Sequence, residues 1–165
     1  MRFFCGIAVV TAALAGALLT CGCKSVNDDS IPVTPVNIVF TTPAMWDLYG
    51  VNGALQYRYF IPSEHKPAGF SYTAGSHAGF GGILLVCSYM GEPRAYDLAC
   101  PVERSQTVRV AINSDNLAEC PGCHSTYDVF SLSGHPVSGP AANDGYGLRP
   151  YHVHRSTTSE SVISF

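Results

Sequence analysis

GILLVCSYM, residues 82–90, followed by GEPRAYDLA, residues 91–99, decides how this chain folds. ILLVC is a continuous apolar run of strand length, so it is expected to lie in the core rather than on a half-buried surface. MGEPRA places Gly91 and Pro93 between two such runs and reads as a hairpin turn. Outward from this hairpin the same pattern repeats, with short apolar runs separated by turn residues. NIVF (37–40), LQYRYFI (55–61), TVRVAI (107–112), YDVFS (127–131), YHVH (151–154) and SVISF (161–165) complete eight candidate strands. QYRYF alternates in the manner of a half-buried strand, and PAMWDLYG reads as one helical turn anchored by Trp46. No internal repeat is visible. The expectation is an all-β domain, an antiparallel sandwich or barrel.

Composition agrees. The 165 residues suffice for one domain with its own core, 47% are apolar and only 13% charged. The net charge of −3 and the lack of any Lys/Arg cluster provide no basic footprint, so nucleic-acid binding is excluded.

The N-terminus reads differently from the body. MRFFCGIAVVTAALAGALLTCGCKS has one Arg, an apolar run and then small residues with cysteines, the outline of a signal peptide over 1–22. Thr-Cys-Gly-Cys resembles a bacterial lipobox, with Cys23 as the lipidated residue and Cys21 as the alternative. KSVNDDSIPVTPV (24–36) is polar, with Pro32 and Pro35 blocking regular structure, so 23–36 reads as lipidated anchor and linker and 37–165 as the folded domain. Removal of Arg2 would leave eight basic residues against twelve acidic, a net of −4 that favours no anionic surface, so the lipid itself would hold the membrane. The localisation that follows is the cell envelope, with the domain facing the periplasm or the cell surface in an oxidising compartment.

Four cysteines lie beyond the anchor: Cys87, Cys100, Cys120 and Cys123. Cys87 sits inside the apolar run and reads as a small buried hydrophobe. The other three occupy ACPVE and ECPGCH, strand ends beside proline, where turns release backbone N–H groups that can face sulfur. Cys-x-x-Cys spacing brings two sulfurs to one ion, and a third from another loop begins to close a site. Cys100, Cys120 and Cys123 are therefore the candidate metal ligands, with Glu103, His124 and His135 as candidates for a fourth. A Cys120–Cys123 disulfide and reduced thiols are the competing readings. GSHAGFGG (75–82) lacks the Lys-Ser/Thr of a phosphate loop and reads as a turn, and His65, His77, His152 and His154 read as solvated. No nucleophile elbow or carboxylate pair stands out.

AYDLACPVE (95–103), about sixteen intervening residues, CPGCHSTYD (120–128), then GPA (139–141) and a last strand resemble the cluster-binding half of Rieske proteins, over roughly residues 80–154. That family carries Cys-x-His in one loop and Cys-Pro-Cys-His-Gly-Ser-x-Tyr/Phe-Asp in the other, holding a 2Fe-2S cluster through one Cys and one His of each. In a gapless match Cys100 and Cys120 take the Cys positions, Cys123 takes the second His position and Val102 the first. Gly122 and Ser105 stand where the bracing disulfide belongs, and His124 stands at a glycine position. Ser125 and Tyr127 match residues whose hydroxyls bond the sulfurs, and Gly139-Pro140-Ala141 matches the loop that covers the cluster. The resemblance implies a Rieske-like β architecture with a small cluster-binding loop subdomain. It also implies a 2Fe-2S cofactor and an electron-carrier role with a redox partner protein. Thiolate in place of imidazole would draw the potential toward about −400 mV. A single zinc or iron ion, or no metal on a fold reused as a non-redox binding module, are the alternatives. A carrier is implied rather than an enzyme, since the catalytic half of the Rieske oxygenases has no counterpart here.

Overall fold

The computed structural model describes residues 25–155 and 161–164; the expected signal peptide and the lipidation candidates Cys21 and Cys23 lie outside them. Eleven strands, two short α-helices and one 3-10 turn at Pro62–Glu64 are formed among these residues. In chain order the strands and α-helices are β1 (Val36–Phe40), α1 (Pro43–Tyr49), β2 (Tyr57–Phe60), β3 (His77–Ala78), β4 (Ile83–Cys87), β5 (Pro93–Asp97), β6 (Ala111–Ile112), β7 (Ala118–Glu119), β8 (Thr126–Asp128), β9 (His135–Ser138), α2 (Pro140–Asp144), β10 (Pro150–Arg155) and β11 (Ser161–Ser164).

Two antiparallel sheets result. The larger runs β2-β4-β5-β10-β11-β1-β3 and curls into a nearly closed barrel, and the smaller runs β6-β7-β8-β9. Curling brings β2, at one end of the larger sheet, close to β1 near the other: the rings of Phe40 on β1 and Phe60 on β2 meet edge to face, 5.7 Å between centroids. Trp46 and Phe70 join them at 5.0 and 5.6 Å from Phe40, in the tilted geometry that aromatic quadrupoles favour. Trp46 is delivered by α1, which starts where Thr42 Oγ1 accepts the Met45 N–H at 3.2 Å and Pro43 opens the helix.

The run ILLVC is β4, buried along its whole length. Its pleat sends Ile83, Leu85 and Cys87 into the aromatic core and Leu84 and Val86 into a second core beneath the small sheet. Burial on both faces explains why the run is continuous rather than alternating. β4 pairs with β5 from Ile83↔Asp97 to Cys87↔Pro93, so the hairpin expected at MGEPRA (90–95) forms with its turn at 88–92, and Pro93–Ala95 already belong to β5. Beyond β5 the chain bends away from the barrel. Leu98 and Cys100 then exchange backbone bonds with Val110 and Val108, carrying the chain across to the small sheet.

Several expectations change in detail. TVRVAI was expected as one strand over 107–112; the regular pairing with β7 covers only Ala111–Ile112, because 108–110 are occupied by this irregular crossing. β3, β7 and β9 were not expected, nor was α2 in the GPA segment. The stretch 25–36, read as a linker, lies along the body. Asn27 exchanges backbone bonds with Gly145 and Gly147, Arg149 reaches Asp29 at 3.0 Å and the Ile31 carbonyl at 2.7 Å, and Ile31 is buried. Pro32 and Pro35 keep this stretch out of a ladder without preventing it from docking.

Candidate metal centre

Two loops build the site. The first, Cys100–Arg104, leaves the end of the crossing strand; the second, Cys120–His124, connects β7 to β8. Each begins with Cys-Pro, which fixes the second residue's φ and starts a tight turn. Both loops close on themselves: Arg104 N–H donates to the Cys100 carbonyl at 2.9 Å, and His124 N–H donates to the Cys120 carbonyl at 3.0 Å.

The three cysteine sulfurs converge, all within 4.8 Å of one another. Cys100 and Cys123 come to 3.6 Å. Cys100 and Cys120 are fully buried and Cys123 partly so. Tyr127, buried on β8, brings its hydroxyl to 3.5 Å from Cys100 Sγ. Cys123 donates its S–H to Ser125 Oγ at 3.2 Å, and Ser125 Oγ also accepts the Ala141 N–H at 3.0 Å. That second bond docks α2 over the site. Gly139, at φ +77°, makes the docking possible, since a Cβ there would sit 2.8 Å from Ser125 Cα.

Electrostatics separate the sulfurs. Burial pushes the Cys120 thiol up to about 12, against the N–H bonds it accepts from Cys123 and Gly122. Burial also acts on Cys123, but bonds from the Ser125 side chain and N–H and from Cys120 and Cys100 outweigh it. Its thiol therefore titrates below the ordinary cysteine range. The Tyr127 hydroxyl is held far above its usual value by burial first and by Cys100 second.

The candidates for a fourth ligand lie around this group without belonging to it. The His124 ring is turned to Glu119, Nδ1 to Oε1 3.4 Å, with its side chain 75% exposed. His135 is exposed on β9, its backbone opposite Asp128. The Glu103 side chain lies on Gly122: a Cβ on that glycine would come within 3.0 Å of Glu103 Oε1. His152 and His154 are exposed on one face of β10, His77 is exposed on β3, and His65 is exposed in the turn after β2. Cys87 is enclosed in the aromatic core on the far face of β4, where burial raises its thiol.

Sequence reasoning missed Asp97. Its buried carboxylate accepts N–H bonds from Phe80 (2.7 Å), Gly81 (2.9 Å) and Ala99 (2.7 Å) and the Tyr151 hydroxyl at 2.5 Å. It ties the Gly-rich turn before β4 to the strand end that carries Cys100. The available signal was an aspartate inside the apolar run AYDLA, two residues downstream of which stands Ala99.

Chemically, the donor set fits a thiophilic ion. Tetrahedral coordination at about 2.3 Å requires sulfurs roughly 3.8 Å apart, and the Cys100–Cys123 separation of 3.6 Å meets it. No protein-family model matches the chain, and no curated protein or solved structure is significantly similar to it.

Proposed function

We propose that this protein binds one metal ion through Cys100, Cys120 and Cys123, on a Rieske-like module tethered in the bacterial cell envelope by lipid on Cys23. The convergence of the three sulfurs within 4.8 Å carries this reading. A two-iron cluster spreads its ligands in pairs over two ions, so a ligand of one iron stands further from those of the other. Sulfurs this close are better matched to a shared tetrahedral ion. Zinc would stiffen the joint between the two loops, and the module would then act as a binding surface.

A second reading, electron transfer by an iron-loaded centre, is favoured by the hydroxyls of Tyr127 and Ser125 at the sulfurs of Cys100 and Cys123. Such bonds raise a metal–thiolate potential by withdrawing charge from sulfur.

The test is metal and sulfide analysis of full-length protein purified anaerobically. About one zinc or iron per chain without acid-labile sulfide is expected from this site. Iron with stoichiometric sulfide and visible absorption would replace the single ion by a cluster. Chains that bind neither zinc nor iron with Cys100, Cys120 and Cys123 reduced would end the metal reading.

A further inference from the structure

The two cysteine loops repeat one another in backbone although their sequences differ. Cys100-Pro-Val-Glu-Arg104 and Cys120-Pro-Gly-Cys-His124 have the same succession of turn residues, 101–103 and 121–123. In each, the first carbonyl accepts the N–H of the fifth residue, and the first N–H is spent outside the loop, on Val108 in one and Ser125 in the other. The fifth residue is left-handed in both, Arg104 at φ +52° and His124 at φ +54°. Non-glycine residues rarely adopt that conformation, so its presence at the same place in both loops marks a shared turn rather than a coincidence of length.

Superposing the loops by position sets Cys100 on Cys120, Val102 on Gly122 and Glu103 on Cys123. In the second loop the fourth residue, Cys123, brings its sulfur beside those of Cys120 and Cys100. Glu103 holds that same place in the other loop. Its carboxylate already crosses to the second loop, against Gly122, and among the described residues no hydrogen bond or ion pair engages it elsewhere. Gly122 leaves the room it needs.

We propose that Glu103 is the fourth ligand of the centre, an exchangeable carboxylate completing three thiolates, an inference that rests on the metal reading above. His124 and His135 are then not ligands. The pairing gives the centre a built-in asymmetry. Three ligands sit on buried or half-buried backbone, while the fourth is an exposed side chain that can swing out and leave one coordination position to an incoming donor. Sites that keep such a position are those in which a metal meets exogenous ligands.

Cobalt(II) added to the full-length, metal-free protein tests this, because thiolate-to-cobalt charge-transfer intensity counts the sulfurs bound. Wild type is expected to show three thiolates. Glu103→Gln should weaken cobalt and zinc affinity about tenfold or more with the intensity unchanged. Glu103→Cys should raise the intensity by about one third, from three thiolates to four. Glu103 is exposed, so neither variant should alter the melting temperature of the metal-free protein. Wild-type affinity in Glu103→Gln together with only three thiolates in Glu103→Cys would overturn the fourth-ligand assignment and leave the three-cysteine centre standing. Absence of cobalt and zinc binding in wild type would overturn both.

Discussion

Cys100 Sγ stands 3.6 Å from Cys123 Sγ although 23 residues separate them in sequence, and the contact joins two loops rather than the ends of one. Disulfide formation needs the sulfurs to close by only about 1.5 Å. Cys123 is the sulfur whose thiolate is favoured, while burial keeps Cys120 protonated. Mild diamide oxidation of the metal-free protein should therefore link Cys100 to Cys123, and zinc should protect both. Peptide mapping by mass spectrometry reads the result; a Cys120–Cys123 link would contradict it.

Removing the hydroxyls should separate stability from metal chemistry. Tyr127→Phe deletes one buried contact and is expected to cost about 1 kcal/mol in denaturant unfolding. Ser125→Ala strands the Ala141 N–H and should cost about 1–3 kcal/mol, loosening α2. If iron is loaded, both variants should lower its midpoint potential. Unchanged potentials in both would mean that the hydroxyls serve packing alone.

Asp128 provides a pH signature. Burial raises its carboxyl, but bonds from the Ser131 side chain and from the N–H groups of Ser131, Phe130 and Leu132 outweigh that and hold it below the ordinary value of 3.8. A depressed carboxyl stabilises the fold above the unfolded-state pKa and loses that contribution as pH falls through the folded-state one. Asp128→Asn should accordingly lose on the order of 1 kcal/mol at pH 7, solvent screening included, and the gap to wild type should close below about pH 4. A gap that widens on acidification would refute the assignment.

Trp46→Ala should cost about 3–5 kcal/mol by opening a cavity among Phe40, Phe60 and Phe70. Trp46 belongs to the aromatic core and the three convergent cysteines to the other side of β4. Zinc affinity of the folded variant should therefore match wild type. A loss of affinity in parallel with stability would show that the two cores are coupled.

Much of this arrangement could be read from residues alone, for identifiable reasons. Short apolar runs such as ILLVC and NIVF are enough to announce a strand, and Trp46 announced a buried helical turn. β3 and β7 have two residues each, too few for any period, and their existence is decided by partners distant in the chain. Cys100, Cys120 and Cys123 were legible as a group because thiols beside proline turns are chemically conspicuous. The equivalence of Glu103 to Cys123 was not legible, because the loops share a backbone path and only their first two residues. Asp97 stayed hidden since one aspartate in an apolar strand carries no label for the four donors that gather on it. The docking of 25–36 was hidden for a similar reason: proline content predicts the absence of a ladder, and Ile31 finds its burial in tertiary structure.

The double burial of β4 makes one strand addressable in two registers. Even-numbered positions, Leu84 and Val86, line the lobe of the cysteine loops, and odd-numbered ones, Ile83, Leu85 and Cys87, line the aromatic lobe. An engineer could reshape the ground beneath the sulfurs, or retune the barrel's resistance to heat, by choosing the parity of the position to change.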